Sequence, residues 1–178
     1  DPRRRFYLLP DPPHLIKLLR NHVFSKGVYF PVNPFDQIYQ KASSPEELDK
    51  LVDEGKWVYL SRDDFDAILE ADCGELRVQH SLTDVHLNVN YSKTNVRVAA
   101  QTFSSKSAAA MEYLTPHKKQ QAEAIRVVDQ WFDISNSRRL QDGQRSAFGV
   151  FEAQQQSALE KMEFFVRNLI FKENIKPL

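Results

Sequence analysis

The sequence predicts a mostly α-helical fold with a short strand near its start, and three observations carry that prediction. Apolar residues recur at intervals of three and four through most of the chain. Ser-Pro-Glu-Glu and Asp-Pro-Pro stretches mark helix starts, and Gly27, Gly55 and Gly74 stand where the following helices should stop. A final stripe of Phe151, Ala158, Leu159, Met162, Phe165, Val166, Leu169 and Ile170 reads as one long amphipathic helix.

Taken in order, Arg3 to Leu9 reads as a basic, then apolar, short strand. Asp11-Pro12-Pro13 supplies an N-cap carboxylate and prolines in the first turn, where a missing N–H costs nothing. A helix over 13–25 follows. Residues 28–40 hold Pro31 and Pro34 among aromatics and read as a connection with packing anchors. Ser44-Pro45-Glu46-Glu47 is a capping box that opens a helix over 45–54. Ser61-Arg62-Asp63-Asp64 is a weaker one, opening a helix over 62–72, and Trp57, Tyr59 and Leu60 between them should be buried. Ser81 to Asp84 suggests a turn into a short helix containing His86. Val96, Ala99, Ala100, Phe103, Ser107, Ala110 and Leu114 trace one long helical face over 95–113. Pro116 breaks it, and Ala122, Ile125, Val128 and Phe132 continue on a helix over 117–133. Residues 138–149 read as a polar loop before the last helix, 150–170.

The chain has 178 residues, 42% hydrophobic and 27% charged, which suits one domain, or one plus part of another, with a real core. Equal numbers of basic and acidic residues, 24 each, argue against a nucleic-acid coat but leave room for a local basic patch. The single cysteine, Cys73, allows neither an internal disulfide nor a cysteine zinc cage, and fits a reducing compartment. No apolar run approaches the roughly 18 residues that span a bilayer, so no membrane partner is expected. The first residue is Asp1 rather than methionine, which suggests an excerpt of a longer protein.

Gly55-Lys56 lacks the rest of a phosphate-binding P-loop, and no Asn-Lys-x-Asp guanine motif is present. Five scattered histidines give no pair at metal-ligand spacing. Two stretches are better candidates. Lys93 to Ser104 opens a helix with small residues, hydroxyls and backbone donors, which suits an anionic phosphate. Asp133 and Asn136 offer a carboxylate and an amide that could hold a guanine edge or a magnesium ion. A helix end with ordinary capping contacts accounts for the same local pattern. Asp11 likewise reads either as a plain cap or as a functional carboxylate at a strand-to-helix junction.

Three motifs in order are more specific than any one of them. Asp11-Pro12-Pro13-His14-Leu15-Ile16-Lys17 with Arg20-Asn21, then Val96-x-Val98-Ala99-Ala100-Gln101-Thr102-x-Ser104, then Phe132-Asp133-x-x-Asn136-Ser137-Arg138 resemble the P element transposase family, including the transposase-like part of THAP-domain proteins. The resemblance covers roughly residues 5 to 170. It implies a helical GTP-binding insertion over 28–178, preceded over 1–27 by a strand-and-helix fragment of an RNase H-like catalytic domain. By the same resemblance Asp11 matches the second carboxylate of an Asp-Asp-Glu metal triad, while Val96, Ser104, Asp133 and Asn136 match residues at the nucleotide. GTP and magnesium are the implied cofactors, with GTP supporting synapsis of transposon-end DNA and not hydrolysed. A nuclear location and a homo-oligomeric full-length protein are implied as well.

Two departures weigh against phosphate binding. Ser81 and Asn95 stand where the family often carries lysines, and each lost charge removes a strong hydrogen bond, although Lys93, Arg97 or Lys106 could substitute. The family's first catalytic aspartate and its Gln-Asp-x-Leu-Glu segment are absent, so these residues alone do not make a two-metal nuclease. A domesticated interaction scaffold and a nuclease completed by flanking sequence are the alternatives.

Overall fold

The computed structural model describes residues 11–32, 44–73, 77–137, 149 and 152–171. The strand expected over 3–9 and the loop expected over 138–149, Gly149 excepted, lie outside them. Among the described residues the fold is mostly helical, with one small antiparallel sheet. The elements are α1 (Pro12–Lys26), β1 (Val28–Pro31), α2 (Pro45–Asp53), β2 (Trp57–Leu60), α3 (Arg62–Ala71), α4 (Asp84–Leu87), α5 (Val89–Ser92), α6 (Val96–Thr102), α7 (Ser105–Leu114), α8 (Lys119–Asn136), α9 (Glu152–Asn168) and β3 (Ile170–Phe171).

The sheet is where the expectation changes most. Val28–Pro31, read from sequence as connection, is the central strand, with order β2-β1-β3 and register Val28 opposite Leu60 and Phe171. Successive side chains of a strand point to opposite faces, and here both faces are covered. Val28, Phe30, Val58 and Leu60 enter the main core with Ile16, Phe65 and Ile125. Tyr29 and Trp57 enter a smaller cluster with Leu48 of α2, against which Tyr59 packs. A four-residue strand buried on both sides shows no polar alternation, so its period is invisible in the sequence. Trp57 and Leu60 are buried as expected, while Tyr59 is only partly so.

Three helix boundaries also shift. The face expected to run unbroken over 95–113 belongs to two helices, interrupted at Phe103 and Ser104. The helix expected to end at Asp133 continues to Asn136, because Ile134 extends the buried face and nothing between Gln130 and Asn136 breaks a helix. The last helix stops at Asn168, whose side chain donates to the Phe164 carbonyl at 2.8 Å, and the chain then pairs as β3 beside β1. Ser44 caps α2 as read, accepting from the Glu47 N–H at 3.3 Å. At α3 the Ser61 N–H donates to Asp64 at 2.7 Å, and the same carboxylate takes an ion pair from Lys118 at 2.5 Å.

Helix α1 packs against both α6 and α8 around the main core, to which it contributes Ile16, Val23 and Phe24. Gly27 closes α1 at φ +65° and lies against the Tyr59 ring, which a Cβ there would overlap. Replacing Gly27 by alanine therefore combines backbone strain with a clash and should destabilise the fold by about 1–3 kcal/mol. A urea midpoint unchanged by Gly27→Ala would contradict this packing.

Candidate functional site

The break between α6 and α7 is held by a chain of buried polar groups. Helix α6 opens with Asn95, whose side chain accepts from the Val98 N–H at 3.2 Å, and it ends where the Phe103 ring turns into the core. Ser104 restarts the helix: its hydroxyl accepts from the Ser107 N–H at 3.3 Å and donates to the Gln101 carbonyl at 2.8 Å. Ser107 donates to that same carbonyl at 3.0 Å and accepts from the Gln79 amide at 2.9 Å. Gln79 is fixed in turn, since Asp72 accepts from the N–H groups of Val78 at 2.7 Å and Gln79 at 2.8 Å.

His86 closes the other side of this junction. The Thr83 N–H donates to its Nδ1 at 3.2 Å, so the ring proton sits on Nε2 and is donated to Gln101 Oε1 at 3.1 Å. Gln101 thus anchors both the α4 segment and the α6–α7 junction. The short helix expected around His86 is α4, and a second, α5, follows it.

The expected site residues fall on four elements. Asp11 is exposed at the head of α1; its backbone carbonyl accepts from His14 and Leu15, and its carboxylate makes no capping bond. Val96 is the first residue of α6 and packs against the main core. Ser104 caps α7. Asp133 and Asn136 both lie in the last turn of α8, three residues and about 60° apart around the axis.

A cleft of about 670 Å³ opens beside that last turn, between the start of α7, the outer face of α8 and α9. Its lining includes Ser105, Asp129, Gln130, Asp133, Gln154 and Lys161, while Val96, Ser104 and Asn136 do not line it. Asp129 accepts from the Ser105 N–H at 2.9 Å, drawing α8 onto the head of α7. Arg126 also borders the cleft and pairs with Glu112, which keeps the Glu112 carboxyl below the usual carboxylate range. Glu123 lies 3.5 Å from Arg126 and 3.8 Å from Lys161, linking α8 to α9. Asp133 and Ser105, the residue after Ser104, thus line the same cleft, and no residue of α6 lines it.

Residues 47–147, more than half of the chain, match the family model described as the TNP-like, GTP-binding insertion domain. The chain belongs to that family. It is 23% identical over 145 residues to the Transposable element P transposase of Drosophila melanogaster, covering 78% of this chain and 16% of that protein. It also matches the Drosophila P element transposase strand transfer complex with a TM-score of 0.66 at 20% identity, over 94% of this chain and 35% of that one. The chain thus spans well under half the length of either relative, and the likeness to the solved structure is one of fold.

Within the insertion domain, sequence reading singled out Ser104 but missed what fixes it. Asp72, Gln79 and Ser107 form a connected buried chain that no local motif announces, because their partners lie up to 28 residues away. A serine on an otherwise apolar helical face, as at Ser107, was the one available signal. Among the described residues no group of three or more histidine, cysteine or acidic side chains is placed to hold a metal ion.

Two predictions follow from this geometry. Ser104→Ala removes a helix cap and should cost about 1 kcal/mol in denaturant unfolding without bound nucleotide. Stability equal to the parent would mean that the hydroxyl does not serve the fold. For Asp72, burial alone would raise the pKa, but the two backbone N–H bonds, together with the nearby charges of Arg77 and His80, outweigh it and leave the carboxyl below its ordinary value. A lowered folded pKa contributes stability that is present above the ordinary aspartate range and is lost as pH falls through the folded value. Asp72→Asn should accordingly flatten the acid limb of the stability profile, and an unchanged limb would contradict the assignment.

Proposed function

We propose that this insertion domain binds GTP at the junction of α6, α7 and the last turn of α8, and that it works as part of a longer P element-like transposase. The observation that carries the proposal is the family match together with Asp133 in the last turn of α8, lining a polar cleft that reaches Ser105 at the start of α7. The cleft volume falls within the range of small-molecule sites. Bound GTP would supply a polyanion and a guanine edge with two adjacent donors, N1–H and the N2 amino group, which one carboxylate accepts together. ATP presents no such pair. Asp133 is the residue in position to read that edge, with Asn136 one turn along; Val96 and Ser104 contribute the helix starts.

Lys93, Arg97 and Lys106 surround those starts, all exposed and none held in an ion pair among the described residues, so they are available to phosphate oxygens. Magnesium would in this reading be held chiefly by phosphate oxygens with one or two carboxylates. The nucleotide is read, by the family resemblance, as a support for synapsis of transposon-end DNA in a nuclear, homo-oligomeric full-length protein. Residues 1–27 belong in this reading to an RNase H-like catalytic domain, and Asp11, exposed and free of a capping role, is its metal-ligand candidate.

A second reading has its own support. Ser81 and Asn95, which replace family lysines, are committed to the fold: Ser81 Oγ donates to Gln79 Oε1 at 2.8 Å and Asn95 caps α6. Those positions favour a domesticated scaffold without nucleotide. A nuclease completed by flanking sequence is the third possibility, and it depends on Asp11 alone here.

Calorimetry with GTP and ATP, with and without magnesium, separates these readings. Asp133→Asn should weaken GTP binding about 10- to 100-fold, the range of a lost hydrogen bond to a charged group. If Asp133 reads the base, the preference for GTP over ATP should fall as well; if it serves the metal, the loss should depend on magnesium. No binding of either nucleotide by the parent chain would leave the scaffold reading.

A further inference from the structure

Arg20 on α1 is fully buried, and among the described residues no carboxylate pairs with it. Its guanidinium crosses 72 residues of sequence to reach one target: Nη1 donates to the Ser92 carbonyl at 3.1 Å and Nη2 to the Ser92 hydroxyl at 2.7 Å. The Ser92 hydroxyl spends its own proton on the Asn88 carbonyl at 2.7 Å, which leaves it oriented to accept from Arg20. The next residue repeats the contact, with Asn21 Nδ2 donating to the Lys93 carbonyl at 3.2 Å. Two consecutive residues of α1 thus grip two consecutive residues just ahead of α6.

This grip is an expensive way to fill space. A buried guanidinium without a counter-ion is costly, burial holds its pKa below the usual arginine value, and its Nε has no partner. A leucine or methionine would occupy the volume without that cost. What only arginine supplies is a rigid fork that serves a carbonyl and a hydroxyl of one residue together. From Ser92 there is little slack to α6: the Asn95 N–H donates back to the Ser92 carbonyl at 3.0 Å, and Val96 follows at once. In the other direction Asp11 stands nine residues up the same helix, about 13 Å along its axis.

We propose that Arg20 and Asn21 are positioning residues that fix the start of α6 to α1, so that the Val96 end of the nucleotide site and Asp11 move together. The proposal rests on the reading of α6 as part of the nucleotide site. It gives GTP binding a physical route to the head of α1. Bound nucleotide restrains the first turn of α6, the Ser92–Lys93 backbone follows, and α1 is restrained with it.

Amide hydrogen exchange on the 178-residue chain, with calorimetry on the same samples, tests this. GTP should slow exchange at Val98 and Ala99 in α6 and also at His14 and Leu15, whose N–H groups bond to Asp11. In Arg20→Lys, which cannot form the fork, and in Asn21→Ala, at a half-buried position, GTP affinity should fall about three- to tenfold. Protection should then persist in α6 and vanish in α1. Variants that keep both the parent affinity and the α1 protection overturn the proposal. Should the parent chain bind no GTP, the nucleotide reading falls, and exchange without nucleotide then decides about the clamp. Faster exchange at Val98 and Ala99 in both variants supports a grip on α6, and unchanged exchange refutes it.

Discussion

The break in the helical face at Phe103 and Ser104 is the constraint on which the candidate site depends. A continuous helix would leave α6 and α7 collinear and would carry Ser105 away from α8. The break costs backbone hydrogen bonds, and the structure replaces them with the Ser104 cap and with two hydroxyl donors on the Gln101 carbonyl. Buried polar groups of this kind hold one arrangement only when all are satisfied. Asp72, Gln79 and His86 complete that set from a separate part of the chain. The consequence is that Asp129 can accept from the Ser105 N–H, bringing the outer face of α8 onto the head of α7.

The sheet performs a different task. Its two faces bury separate clusters, the larger one holding α1, α6 and α8 and the smaller one holding α2. Tyr29 shows how tightly the smaller cluster is tied in: its buried hydroxyl donates to Asp49 at 2.7 Å, and burial together with that carboxylate drives its pKa well up. Helix α2 is thereby fixed to the same body that carries the site.

Much of this was legible in the sequence, for identifiable reasons. The cap at Ser44, the proline start of α1, the glycine stop at Gly27 and the long stripes of α8 and α9 are local signals that survive into the fold, whereas the Asp11 carboxylate does not make the capping bond its position suggests. The strands were not legible, since Val28–Pro31 and Trp57–Leu60 are short and buried on both faces. Nor was the helix break, because Ala99, Phe103, Ser107 and Ala110 keep helical spacing straight across it. The motif residues are local features of the sequence, whereas the side chains that surround them in the fold are not. Ser104, matched by resemblance to a nucleotide contact, also caps α7, donating to the Gln101 carbonyl and accepting from the Ser107 N–H. Arg20 and Asn21 stood inside a quoted motif without any role, and only the structure connects them to Ser92 and Lys93.

The central claim is that the starts of α6 and α7 and the last turn of α8 form one nucleotide site. Amide chemical shifts of the intact chain, followed by NMR as GTP is added, address it without any substitution. The account predicts saturable shifts concentrated at Val96, Arg97, Ser104, Ser105, Asp133 and Asn136. Shifts centred instead on the apolar groove of Phe30, Val32, Ala124, Val127, Phe164 and Phe165, or no saturable shifts at all, would contradict it.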